Sequence, residues 1–348
     1  MFFASDNAGP AHPKVMQALM AANEGYAMGY GADPIMDRVR DQVRELFEAP
    51  EAAVYLVING TSANSILLGT MSQPWQTIFC TECAHIHEDE CNAPEFYSGA
   101  KLTLVPTAHG KMSASALRGK IAGEETRGVH GPQRGPVSVT QVTEKGTVYS
   151  LDELRSLTDT ARAFEMQTHL DGARFANALV TLGCSPADMT WKAGIDTVSF
   201  GGTKNGLLGV EACVIFDPDL AWEFELRRKR GGHLLSKHRY LSAQMAAYLE
   251  DGLWLEMAAA ANARCAQLAE GLRGNNAAEM LFAPQANIIF FQMPRSEHKR
   301  MLDAGAVYYV MNGDPAEGDP DEPLTGRLVT DWSMTEEGVS RFIDLLNG

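Results

Sequence analysis

The chain has 348 residues, 45% hydrophobic and 21% charged, with a formal net charge of −15 and a sequence pI near 5.0. That is the composition of a soluble globular protein with room for one large core and a smaller one. The acidic balance, interrupted only by "RRKR" at 227–230, speaks against nucleic acid as a partner, and no stretch reaches the ~18 apolar residues of a membrane span.

In chain order, the start "MFFASDNAGP" lacks the charged and apolar segments of a signal peptide. Short β-rich runs follow at 52–58, 76–80, 101–107, 136–143, 166–171, 196–200 and 212–217. Their apolar character and spacing predict buried strands. Between them, "SANSILLGTM" and "LDELRSLTDTARAFE" have helical periodicity, and Ser150 with Glu153 forms a capping-box signature before the second. Strand and helix alternating this often predict an α/β fold, a mostly parallel central sheet covered on both faces. From about residue 218 the pattern changes. Helices are expected over 220–228 and 242–272, followed by a strand-like "ANIIFFQM", "AVYYVM", an acidic Pro- and Gly-rich loop at 312–326 expected to be mobile, and "RLVTDW". This predicts a large α/β domain over 1–245, with an N-terminal arm at 1–14, and a smaller α+β domain over 246–348.

The cysteines are Cys80, Cys83, Cys91, Cys184, Cys213 and Cys265, too few for a disulfide framework in this length and suited to a reducing cytoplasm. In "CTECAHIHEDEC", 80–91, the spacing of Cys80, Cys83, His85 and His87 resembles half of a zinc site. No second ligand pair follows elsewhere, so the expectation is no metal and buried cysteines beside functional histidines.

In an open parallel sheet, ligands collect at the carboxyl ends of strands, and four informative segments lie there. In "INGTSANS", Gly60, Thr61 and Ser62 offer N–H groups at a helix N-terminus, a natural phosphate cradle, although many helices simply begin with such a cap. In "HLDGARFANA", Asp171 ends a strand and can bond a protonated ring nitrogen; the alternative is a helix cap with Arg174 as its surface partner. In "VSFGGTKNGLLG", Lys204 is enclosed by glycines. A lysine kept from water has a depressed pKa and becomes a nucleophile, whereas the plain alternative is a tight turn with an exposed tip. Ser199 and Thr203 could add hydroxyls to the phosphate cradle. In "CAHIHEDE", His85 is placed to lie against an aromatic cofactor face. Cradle, strand-end aspartate and loop lysine in this order are what pyridoxal phosphate requires: the lysine forms the Schiff base, the aspartate keeps the pyridine nitrogen protonated and the helix N-terminus holds the phosphate. A nicotinamide reading would need G-x-G-x-x-G after the first strand, which is absent.

On "ASDN" (4–7), "YGADP" (30–34), "NGTSAN" (59–64), "AHIHEDE" (84–90), "HLDGARFANA", "FGGTKNG" and "RLVTDW" (327–332), the sequence resembles the threonine aldolases of the aspartate-aminotransferase fold (fold type I) of pyridoxal-phosphate enzymes. The stretches around His85 and before Lys204 resemble the low-specificity, phenylserine-aldolase-like branch. The resemblance implies pyridoxal 5′-phosphate on Lys204, Asp171 at its ring nitrogen, Arg174 at its ring hydroxyl, Gly60 and Thr61 at its phosphate and His85 stacked on its ring. It further implies that Ser5 and Arg327 bind the substrate carboxylate and that Tyr30 and Glu90 line the pocket. The implied assembly is a homo-oligomer, a dimer or more readily a tetramer, with sites at dimer interfaces where a basic residue of 227–239, such as Lys229, reaches a neighbour's phosphate. One departure stands out: many relatives carry a second active-site histidine where this chain has Thr143. The implied reaction is retro-aldol cleavage of a β-hydroxy-α-amino acid to glycine and an aldehyde. The runner-up is a tryptophanase- or tyrosine phenol-lyase-like β-elimination, and a third reading is a non-catalytic cofactor-binding relative.

Overall fold

The apolar runs line up as one seven-stranded sheet in the computed structural model, which describes residues 1–348. Its strands are β1 (Ala53–Val57), β2 (Gln76–Thr81) and β3 (Lys101–Val105), then, after a short hairpin of β4 (Thr107–Ala108) and β5 (Lys111–Met112), β6 (Gln133–Thr140), β7 (Thr168–Gly172), β8 (Thr197–Gly201) and β9 (Glu211–Ile215). The order across the sheet is β1-β9-β8-β7-β6-β2-β3. Neighbours from β8 to β3 pair in parallel, and β9 alone runs against both β8 and β1. β1, β7, β8 and β9 are buried along their whole length, as strands covered on both faces must be. The register sets Thr140, Asp171 and Ser199 side by side in one row near the carboxyl ends of β6, β7 and β8.

The expected helices form around this sheet. Gly60–Thr70 follows β1, and Leu151–Arg162 follows β6 with the capping box in place: Ser150 Oγ accepts from Glu153 N, and Glu153 accepts from Ser150 N at 2.7 Å. The single helix expected over 242–272 is two helices, Arg239–Leu249 and Leu253–Arg273. Between them Asp251 (φ 52°) and Gly252 (φ 73°) enter the left-handed region, where an α-helix cannot continue.

The second sheet, antiparallel throughout, has the order β10-β11-β13-β12: β10 (Glu279–Met280), β11 (Ile288–Pro294), β12 (Tyr309–Val310) and β13 (Pro323–Val329). The acidic stretch 312–326 does not stay a free loop. Its end is β13, and the rest is tied down by Arg295, which donates to the carbonyl of Asp319 at 3.0 Å, to that of Asp314 and to the Glu322 carboxylate. Two cores result. Helix Leu253–Arg273 serves both, with Leu253, Trp254 and Met257 in the larger and Cys265, Leu268 and Leu272 in the smaller. No helix is long and apolar enough to cross a membrane.

The N-terminal arm joins the two sheets. Phe3 donates its N–H to Val307 (2.7 Å), accepts from Val329 N (2.8 Å), and packs edge-on to Phe342 at 4.9 Å in the smaller core. Nine residues on, His12 N reaches Gly206 O in the lysine turn at 2.9 Å. Phe3→Ala should lower unfolding free energy by about 3 kcal/mol, read from the denaturant midpoint, because a fully packed aromatic is removed without collapse of its site. A change below about 1 kcal/mol would mean the arm is not anchored by this ring.

Candidate active site

Four strands of the central sheet, β1, β2, β7 and β8, each deliver a group to a common region at their carboxyl ends. After β1, Asn59 caps helix Gly60–Thr70 by accepting from Ser62 N at 2.8 Å, while the N–H groups of Gly60 and Thr61 have no acceptor within the chain. The space beside Gly60 is open. An eleven-residue helix that presents two free N–H groups at its positive end is an anion cradle.

After β2, His85 opens a short helix. Its backbone N–H bonds the Glu144 carboxylate at 2.9 Å, and its Nδ1 meets Glu90 Oε1 at 2.8 Å. The bond to buried Glu90 raises the imidazole's proton affinity above the ordinary histidine value. Burial opposes this; the Asp171 charge adds to it and the Lys204 charge subtracts. At the end of β7, Asp171 is buried and accepts from Asn64 Nδ2 at 2.9 Å and from Ala173 N at 3.0 Å. Below it His169 is fully buried, its Nδ1 against Ser138 Oγ at 3.0 Å, and burial pushes its pKa down to about 4, so it is neutral.

After β8 the chain makes the turn that holds Lys204. The glycines there have a steric reason. A Cβ on Gly201 would lie 2.6 Å from Ala173 O, and Gly206 (φ 95°) would drive one to 2.7 Å from Met257 Sδ. Lys204 makes no hydrogen bond or ion pair of its own. Burial lowers its pKa, the Arg174 charge lowers it further, and Asp6, Asp171 and Glu211 pull it back. Arg174 is held by a two-pronged ion pair, Nε and Nη2 to Asp6 at 2.7 and 3.0 Å, which leaves Nη1 without a partner in the chain. Burial pushes the Asp6 carboxyl up, but the charges of Arg174 and Lys204 and hydrogen bonds from Arg174 and Asn287 outweigh it and hold it below the usual carboxylate range.

Arg327, on β13, donates Nη2 to Ala4 O at 3.2 Å and lies over the Tyr309 ring at 4.9 Å; its Nε is buried and unpartnered, and no carboxylate pairs with it. Ser5 is next along the chain, capping the turn at Asp6–Ala8 through Asn7 N. A half-buried arginine lacking a counter-charge beside a serine suits a carboxylate ligand. Tyr30 stands elsewhere in a single chain: it is half exposed, takes Ser236 O on its N–H, and has Lys229 over its ring at 4.9 Å.

The hydroxyl oxygens of Ser199 and Thr203 each accept a backbone N–H. Ser199 Oγ accepts from Gly172 N at 3.2 Å and Thr203 Oγ1 accepts from Val210 N at 3.2 Å. The Thr143 hydroxyl lies 2.7 Å from that of Thr147. Five residues that sequence reasoning did not single out complete the region: Asp6, Asn64, Glu144, Glu211 and Asn287. Asp6 and Asn64 stand inside quoted motifs, and Glu211 is a carboxylate at the start of an apolar strand, itself a signal. Buried polar atoms without partners gather here, on Asn64, Glu90, Glu144 and Arg327. A cavity of about 720 Å³ between the β4–β5 hairpin and residues 281–285 has none, and pairs its Lys111 with Glu153. The chemistry therefore lies at the strand ends.

Residues 3–294 match the β-eliminating lyase family. The chain is 41% identical over 313 residues, 89% of each chain, to a protein of Pseudomonas sp. (strain NCIMB 10558) named low specificity L-threonine aldolase. It is 40% identical over 314 residues, 90% of each chain, to one of the same name from Pseudomonas aeruginosa. The solved structure of a Leishmania major threonine aldolase superposes with a TM-score of 0.92 at 26% identity, covering 99% of this chain and 98% of that one.

Glu211 supplies a pH test of the lysine turn. It accepts from Gly202 N at 2.9 Å, and burial raises its pKa to about 7 from 4.5. Between those values the folded protein keeps a proton that the unfolded chain has lost, so this group's contribution to stability falls as pH rises and levels off above about 7. Glu211→Gln retains an acceptor oxygen and removes the ionisation. Its stability relative to the parent should improve between pH 5 and pH 8 by on the order of 2 kcal/mol. Equal differences at both pH values would show that Glu211 does not titrate there.

Proposed function

The chain belongs to the β-eliminating lyase family, and from that premise we propose that it cleaves L-threonine, L-allo-threonine and related β-hydroxy-α-amino acids to glycine and an aldehyde, with pyridoxal 5′-phosphate as cofactor. The observation that carries this reading is the grouping, at the strand ends, of an uncompensated arginine, a lysine of lowered proton affinity, a buried aspartate and a free helix N-terminus. That donor set fits the cofactor group by group: anion cradle for phosphate, carboxylate for a ring N–H, amine for an aldehyde carbon. Once bound, the cofactor supplies an electron-poor ring that takes up the electron pair left on Cα.

The chain's own residues do the rest. Gly60 and Thr61 hold the phosphate through their N–H groups, and Arg174 faces the ring hydroxyl with the nitrogen that Asp6 leaves free. Asp171 keeps a proton at the ring nitrogen. Lys204, whose proton affinity burial and the Arg174 charge lower, would carry the cofactor through its amine. Arg327 and Ser5 orient the substrate carboxylate so that the Cα–Cβ bond stands where it can break. His85 takes the β-hydroxyl proton directly or through a water, the O–H electron pair becomes the aldehyde C=O as the Cα–Cβ bond opens, the aldehyde leaves, and the proton is returned from His85 or that water to Cα to give glycine. Glu90 fixes the His85 ring. β-Elimination would need in addition a group to protonate a leaving side chain, and would yield pyruvate and ammonia instead; the relatives at 40–41% identity favour the aldolase.

The working unit is a homotetramer in the cytoplasm, with each site at a dimer interface lined by Tyr30 and reached by a basic residue of the partner, such as Lys229. Supporting this, Ile58 and Leu208 are exposed at the rim beside the cradle and the lysine turn, and Tyr26 and Phe96 are bare on the surface. Light scattering gives the mass directly.

Incubation with L-threonine, L-allo-threonine and L-phenylserine, with glycine and aldehyde measured, tests the reaction. Both threonines should be cleaved with kcat/KM within about two orders of magnitude. No second histidine reads the hydroxyl, and one contact in a wet pocket is worth only about 1 kcal/mol. A ratio above about a thousandfold would assign Cβ control to another group. Borohydride should fix the cofactor to Lys204, and Asp171→Asn should cost on the order of a hundredfold in kcat with the fold intact. Label on a different lysine, or a near-normal Asp171→Asn, would remove those assignments.

A further inference from the structure

One side chain touches both carboxylates on which this reading depends. Asn64, wholly buried in the first turns of helix Gly60–Thr70, donates Nδ2 to Asp171 Oδ2 at 2.9 Å and to Glu90 Oε1 at 3.0 Å. That same Glu90 oxygen meets His85 Nδ1 at 2.8 Å. Three segments 107 residues apart at their extremes, from Asn64 to Asp171, are thus joined by one amide. The amide has only one workable orientation, because turning it over would set its oxygen against two carboxylates. In this orientation both N–H groups are used, while Asn64 Oδ1 and Glu90 Oε2 are left buried without partners. An unsatisfied carbonyl is a cost, tolerated here by a residue whose two donors are both needed.

We propose that Asn64 is a positioning residue whose amide pins the Asp171 carboxylate and, through Glu90, the His85 imidazole, so that the ring-nitrogen partner and the proton acceptor are held as one unit. The roles of Asp171 and His85 rest on the function proposed above; the coupling between them does not. Two buried carboxylates sharing one neighbour would otherwise repel, and the two N–H dipoles of Asn64 stand between them. The charged groups that face His85 are Glu90, Asp171 and Lys204, with Glu144 on its backbone N–H.

Asn64→Leu keeps the volume and removes both donors. In cofactor-free protein labelled with ¹⁵N-histidine, with the His85 signal identified by its loss in His85→Asn, the His85–Glu90 pair should release its proton at higher pH than in the parent, by at least about half a pH unit. A packing role would lower stability and leave this titration in place. With cofactor, kcat for L-threonine should fall about ten- to a hundredfold while KM stays within about threefold, because Arg327 and Ser5 are untouched. Asn64→Ser, smaller and with one donor, should give a partial shift, and it decides the matter if the leucine variant does not fold. A His85 titration that superposes on the parent's in the folded variant overturns the proposal. The NMR measurement uses neither cofactor nor substrate, so it stands or falls separately from the parent's release of glycine and aldehyde.

Discussion

The Asp6 carboxylate is where the three parts of the molecule meet. It belongs to the N-terminal arm, clasps Arg174 just beyond β7, accepts from Asn287 at the entry to β11 (3.0 Å), and lies within reach of the Lys204 charge. Taking it out of water is expensive, and only the full set of partners makes it tolerable; removing one member of such a buried pair typically costs about 3–5 kcal/mol. Because the partners come from both sheets, the pair fixes how the smaller core sits on the larger. It also holds Ser5 and Arg327 near the lysine turn. Stability and site geometry therefore depend on the same contact.

Around it most charges face one of opposite sign. Asp6 neutralises Arg174, the Glu90 carboxylate meets His85, and Asp171 and Glu211 face Lys204. Arg327 has no carboxylate of its own. A half-buried guanidinium with no carboxylate against it can take up an anion from solution, and the substrate carboxylate is the ligand proposed for it. The same bookkeeping explains Lys204. Desolvation and Arg174 work against its proton, and the acids around it restrain the effect without forming an ion pair.

The sheet makes this possible. Parallel strands place their carboxyl ends on one edge, so that His85, Asp171 and Lys204 arrive from β2, β7 and β8, and the Gly60 cradle lies beside them. The reversed strand β9 does something the parallel ones cannot: it brings its first residue, Glu211, to that edge, where the carboxylate gathers the N–H groups of Gly202 and Thr203. The glycines of "FGGTKNG" close the turn around it because a Cβ at Gly201 would strike backbone and one at Gly206 the Met257 side chain.

Much of this was written in the chain. Buried strands need continuous apolar runs, so seven of them could be read with boundaries close to those found, and Ser150 with Glu153 announced a helix by local chemistry alone. The lysine among glycines and the aspartate after an apolar run were legible because the backbone demands at such positions are local. Tertiary structure decided what depends on distance along the chain. Asp6 and Arg174 are 168 residues apart, and nothing local to "ASDN" or "DGAR" says that they pair. The hydroxyls of Ser199 and Thr203 gave no sign in the sequence of the backbone N–H groups they accept, since a buried N–H bonds whatever acceptor is nearest. The break at Asp251 and Gly252 was hidden within a periodic pattern, and the acidic loop was held by Arg295, which the sequence left unremarked. Asn64 shows the limit most clearly: as a letter it is one more polar residue in a helix, and only the packing of three segments turns its two N–H groups toward two carboxylates.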